Sequence, residues 1–235
     1  MKAAALGAAD HQLTVPRRWL LFILPAVLAL SVFAFATLQP IQVLPRIRPA
    51  PAFRVTDQAG RRLTNEDLRG QVVLYTFRPL RCAAACEPTD AIMRAMQEYA
   101  RALSADETPL RLVTMLFDSE PLSPETLQAF AQARGADPAR WWMVSGDPAG
   151  LKQTIGAGFE VYYAAGPDGE YAFEPAIVLV DALGIIRGDY RGRTQNLDVA
   201  TIRRQIAVLQ SEIRNDQGVN RLAYEAAHFF LCYAH

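Results

Sequence analysis

From Trp19 to Leu38 the chain reads WLLFILPAVLALSVFAFATL, twenty residues without a formal charge. Wound as a helix at 1.5 Å per residue, such a run is about 30 Å long, the thickness of a bilayer's hydrocarbon core. It separates itself from any globular structure built by the rest. Arg17 and Arg18 stand immediately before it, and the positive-inside rule keeps them in the cytoplasm and sends everything after Leu38 across. Ala34-Phe35-Ala36 has the small-x-small form of a signal peptidase site, but the run exceeds the roughly 7–15 residues of a signal core. The expectation is an uncleaved single-pass anchor over 19–38. Residues 1–18 are then cytoplasmic and the body lies on the periplasmic or other extracytoplasmic side.

Charge supports that division. The 235 residues carry 24 basic and 24 acidic groups, with 51% apolar residues and 20% charged, which excludes a disordered tail or a polycation. Residues 1–50 hold Lys2, Arg17, Arg18, Arg46 and Arg48 against Asp10, leaving the body mildly acidic and poorly suited to nucleic acid. After the anchor comes a stretch with prolines at 40, 45, 49 and 51, read as a semi-rigid extended stalk over 39–52.

In the body, FRVT (53–56), VVLYTF (72–77), LRLVTMLF (110–117), WWMVS (141–145) and AIVLV (176–180) read as strands. Between them, residues 90–103 place Ile92, Met93, Met96, Tyr99, Ala100 and Leu103 on one helical face. Ser123, Pro124 and Glu125 open a second helix that closes at Gly135. Further helices are expected over 147–157 and 197–213. Strands alternating with helices predict an α/β sandwich around a mixed sheet over 53–213.

Cys82 and Cys86 lie in RPLRCAAACEP, after a buried strand and before a helix, with three residues between them. That spacing suits either a disulfide or two thiolates on one ion, and Arg78, Arg81 and the helix N-terminus favour a thiolate. Two small cysteines merely packed behind a strand are the plainer alternative.

These segments, from FRVTDQAGRRLTNEDLRGQVVLYTF through CAAACEP and VTMLFDSEPLSPETLQAFAQARG to AIVLVDALGIIRGDYRG, resemble the Sco/SenC family. The resemblance implies a thioredoxin-like fold, with a central mixed sheet flanked by helices, behind the N-terminal transmembrane helix. It also implies copper delivery to, or thiol chemistry on, cytochrome oxidase, with Cys82 and Cys86 as copper ligands or as a redox pair. The family's third ligand is a histidine seven to eight residues before the aspartate here numbered 181. This chain has Phe173-Glu174-Pro175 there, so the copper site is degenerate. Glu174 is a poor donor for Cu(I), and Pro175 resembles the cis-proline of thioredoxin-like reductases.

After Ile213, residues 214–235 include RLAYEAAHFFLCYAH, an apolar helix outside the family domain. Tyr224, Ala227, Phe230, Leu231 and Ala234 form one face, a docking tail for a partner or the membrane surface. His228, Cys232 and His235 have metal-ligand spacing, whereas His11 falls on the cytoplasmic side. Three readings follow: a membrane-anchored Sco-like factor associated with a respiratory complex, a non-catalytic structural subunit of such a complex, and an anchored thiol–disulfide oxidoreductase.

Overall fold

The computed structural model describes residues 17–38, 42–82, 84–166, 170–192, 197–216, 218 and 220–231. The chain divides into two units, Met1–Ile41 and Gln42–His235. The first contains one helix, α1 (Arg17–Leu38), of 22 residues with Pro25 inside it. Its described side chains, at 21–31 and 33, are all exposed. Among the described residues no helix is long and apolar enough to cross a membrane, so the anchor is not shown.

The second unit is built on an eight-stranded sheet. Its strands are β1 (Arg48–Pro49), β2 (Arg54–Asp57), β3 (Arg62–Thr64), β4 (Val72–Pro79), β5 (Leu110–Phe117), β6 (Trp141–Ser145), β9 (Ala176–Val180) and β10 (Ile185–Arg191), in the order β1-β10-β9-β4-β5-β6-β2-β3. The remaining two strands, β7 (Tyr163–Ala165) and β8 (Tyr171–Phe173), form a separate hairpin. Strands β4, β5 and β6 are parallel, and the flanking pairs are antiparallel, giving a mixed sheet. The crossovers are α2 (Glu87–Ala102) between β4 and β5 and α3 (Pro124–Ala133) between β5 and β6. Then follow a short α4 (Pro148–Leu151), a π-helical turn over Lys152–Gly158, α5 (Val199–Asn215) and α6 (Asn220–Leu231).

The unbroken apolar runs of β4 and β5 are buried on both faces, because alternate residues serve two cores. Val72, Leu74, Leu112 and Leu116 pack with Met93 and Met96 of α2, Leu127 of α3 and Ile202, Ile206 and Leu209 of α5. Val73, Tyr75, Phe77, Val113, Met115 and Phe117 pack on the other side with Leu151, Ile155, Phe159 and Val161. The helical face read from 90–103 is the one that packs: Ile92, Met93, Met96 and Ala100 are buried. Ser123 caps α3, its hydroxyl accepting from the Thr126 amide at 3.3 Å.

Two expectations change. From residue 44 onward the proline-rich stretch is part of the domain: Leu44 is buried, and Arg48 and Pro49 pair with Ile186 and Ile185. Proline is accommodated because β1 is an edge strand. The helix expected over 147–157 is only one turn of α before it widens into the π turn, where Arg48 grips the Gly158 carbonyl.

The tail also lies against its own domain. Arg187 of β10 is buried among the Asp181 carboxylate at 2.9 Å, the Glu212 carboxylate at 2.7 Å and the carbonyls of Leu44 and Pro45 at 2.6 and 3.1 Å. His228 of α6 closes the cluster, its Nε2 lying 2.9 Å from Glu212 Oε1. At the rim Arg46 forks onto Glu225 at 3.1 and 3.2 Å, a hydrogen bond that holds the Glu225 carboxyl below its usual range. One charge cluster thus joins the start of the domain, the last strand, α5 and α6.

Candidate functional site

Strand β4 ends at Pro79, and the chain turns through Leu80 and Arg81 to Cys82. A 3-10 turn over Ala84–Cys86 then leads directly into α2, with Pro88 in its first turn. Cys82 and Cys86 are joined as a disulfide with Cα atoms 5.9 Å apart. Of the alternatives open from spacing, the bond is the one found. The two residues are unequal: Cys86 is 1% exposed, whereas Cys82 is partly exposed.

Beneath the pair lies a charged group that the sequence reading placed only in part. Arg78 points to the helix side of β4, where its guanidinium donates to the Asp90 carboxylate in the first turn of α2. Arg134 of α3 approaches the same oxygen at 3.4 Å, and burial together with the neighbouring Arg78 charge lowers its pKa. Phe130 lies under both guanidinium groups, 5.0 and 3.4 Å from the ring centre to the two Cζ atoms. Asp90 went unread as a site residue, although a cation inside an apolar strand requires a buried carboxylate nearby. Arg81, by contrast, is exposed.

On the other face at the same end of the sheet stands an aromatic cluster. Phe117 is in register with Pro79 across β4 and β5. It stacks on Tyr163 at 4.0 Å and meets Tyr171 and Phe173 edge-on at 5.3 and 6.2 Å. The hairpin β7–β8 delivers these rings, and Lys152 lies over the Tyr163 ring at 4.1 Å. Phe173 is therefore committed to aromatic packing. Glu174 faces Arg191 at 3.8 Å. No cis peptide bond occurs among the described residues, so Pro175 does not adopt the cis-proline conformation.

Burial, and then the nearby Tyr171, push the Tyr163 hydroxyl up to about 12 from 10.0. A folded pKa above the unfolded one contributes stability that is fully present below about pH 10 and is lost as pH rises through about 12. Thermal melts across this range should therefore fall less steeply for Tyr163→Phe than for wild type, by about 1–2 kcal/mol over the window. An unchanged slope would contradict the burial of this hydroxyl.

Of the tail residues with metal-ligand spacing, the one that is described, His228, does not lie at the disulfide. Cys232 and His235 lie outside the described residues, as does His11. His228 sits with Arg187, beside Ile186, which pairs with Val180 and through it with Val73 at the start of β4, whereas the cysteines follow the strand's other end. At about 3.3 Å per residue, those ends are roughly 20 Å apart. Among the described residues no group of three or more His, Cys, Asp or Glu side chains is placed to hold a metal ion.

A cysteine pair where a central parallel strand crosses into a helix, on a mixed sheet with helices over it, defines a thioredoxin-like protein. The SCO1/SenC family model matches residues 45–207, and the chain belongs to that family. No curated protein matches it. A SCO1/SenC family lipoprotein from Bacillus anthracis superposes with a TM-score of 0.62 at 23% identity, covering 72% of this chain and 98% of the other. BsSco, a Sco-family cytochrome c oxidase assembly protein with an identified disulfide switch, gives 0.60 at 22%, covering 74% and 98%. Copper-bound ScoI of Arabidopsis thaliana gives 0.54 at 15%, covering 67% and 98%. At these identities the likeness carries the fold.

Proposed function

We propose that this chain is a membrane-anchored Sco-type factor that acts on a respiratory electron-transfer complex through the cysteine redox state of Cys82 and Cys86. α1 would serve as the anchor, with the domain on the extracytoplasmic side. The observation that carries the reading is the disulfide itself, joining a partly exposed and a buried cysteine at the crossing from strand to helix. Copper enters as cargo rather than as a resident group. Among the described residues, the donors at this end of the sheet are two soft sulfurs and no imidazole, which suits transient Cu(I) contact better than retention.

In the reduced state, the Cys82 thiolate attacks a disulfide on the client and displaces one client thiol. Cys86 then attacks the mixed disulfide, releasing the second client thiol and restoring the Cys82–Cys86 bond. The client gains two electrons and two protons, and a thiol donor must regenerate the dithiol. The metal-free reduced full-length chain, incubated with an oxidised two-cysteine peptide from an oxidase copper site, should lose two labelled thiols for each two that the peptide gains. Absence of transfer overturns the reading.

A structural role within the respiratory complex is a second reading, favoured by α6, which extends past the family match and leaves Leu222 78% exposed. If deleting residues 219–235 abolishes co-purification with the complex while thiol transfer is absent, that reading stands. If the truncated chain still co-purifies stoichiometrically, docking by the tail fails.

A further inference from the structure

We propose that Arg78 is the positioning residue of the cysteine pair, an inference that rests on the dithiol–disulfide reading above. Its side chain is 1% exposed near the end of β4, whose Val72, Val73, Leu74, Tyr75 and Phe77 pack apolar cores. The hydrogen bonds of its guanidinium all go to the segment that carries the pair. Nε donates to the Pro79 carbonyl at 3.3 Å, one terminal nitrogen donates to the Cys82 carbonyl at 3.4 Å, and the other donates to the Asp90 carboxylate. Pro79 ends the strand, Cys82 is the partly exposed member of the pair, and Asp90 stands one turn after Cys86 in α2. A single planar group therefore ties both flanks of the loop and the backbone of one cysteine together.

This arrangement uses a property that lysine lacks. The five donors of a guanidinium form a rigid fork that can hold a carboxylate and carbonyls at once, whereas an ammonium group is a point charge on a flexible stem. A loop fastened in this way keeps the two thiols of the reduced protein near one another, which raises their effective concentration and favours ring closure. In glutathione the balanced step is dithiol plus glutathione disulfide giving the Cys82–Cys86 bond plus two glutathione thiols. Loosening the loop shifts this equilibrium toward the dithiol.

The test is the reduction potential of the full-length chain, read by thiol labelling after equilibration in glutathione buffers, for wild type, Arg78→Lys and Arg134→Lys. Arg78→Lys keeps the buried charge and a partner for Asp90 but loses the fork onto Cys82. It should make the disulfide about tenfold easier to reduce, a potential about 30 mV less negative. Arg134→Lys disturbs the same carboxylate without touching a loop carbonyl, so it should lower the melting temperature and leave the potential in place. If Arg78→Lys does not fold, Asp90→Asn cuts the same tether from its other end and must move the potential in the same direction. An unmoved potential in a folded Arg78→Lys protein, or equal shifts in both arginine variants, overturns the assignment while leaving the dithiol reading intact. A wild-type pair that never equilibrates with glutathione overturns both.

Discussion

Replacing Arg187 by methionine is expected to lower the free energy of unfolding by about 3–5 kcal/mol, the cost of stranding buried carboxylates that have lost their cation. Arg187 is 3% exposed and the side chains of Asp181 and Glu212 are similarly buried, so the change leaves both carboxylates without their shared cation and with little water to screen them. Because the guanidinium also holds the carbonyls of Leu44 and Pro45, the start of the domain should loosen with it. Denaturant unfolding of the full-length chain measures the first effect. Amide exchange at residues 42–50 measures the second. A loss below about 1 kcal/mol, the range of exposed ion pairs, would show that the cluster is solvated rather than buried.

The second large effect separates the sulfurs. Cys82→Ser should abolish disulfide exchange, because Cys82 is the partly exposed residue of the pair and Cys86 is buried. Cys86→Ser should retain the first attack and stall there, accumulating a mixed disulfide between Cys82 and the client. Non-reducing electrophoresis after mixing with an oxidised two-cysteine peptide distinguishes the two variants. A trapped adduct with Cys82→Ser but not with Cys86→Ser would reverse the roles.

Local chemistry made much of this architecture legible. The strand at 72–77, the helix after the cysteines and the capped helix at 123–134 all announce themselves by period, caps and proline placement, and each forms within a few residues of its expected bounds. Features that depend on distant partners were hidden. Nothing near Pro49 reveals that β10 will supply an edge for it, and nothing near His228 reveals Glu212. The tail therefore read as a helix docking on a partner or the membrane surface, although Ala227 and His228 are buried against its own domain.

At the site, the cysteine spacing was plain and its chemistry was not. Two thiols at this separation fit a bond or an ion equally well, and the structure shows them joined as a disulfide. Arg78 was noticed as a charge near the thiols, but its hold on the Cys82 carbonyl and on Asp90 arises only when strand and helix are brought together. Phe173 was noticed for the imidazole it lacks, and its contact with Phe117 comes from a hairpin that no local pattern marked.

The proposed function has Cys82 and Cys86 working as a reversible dithiol, with no imidazole beside them among the described residues to make a retentive copper site. Competition for Cu(I) between the reduced full-length chain and a chelator of known affinity tests it most directly, with Phe173→His alongside. The wild-type chain is expected to yield its Cu(I) while remaining able to form the disulfide, and the histidine variant to hold the ion at least about tenfold more tightly. Tight stoichiometric retention by the wild type, lost in Cys82→Ser and unimproved by Phe173→His, would contradict it.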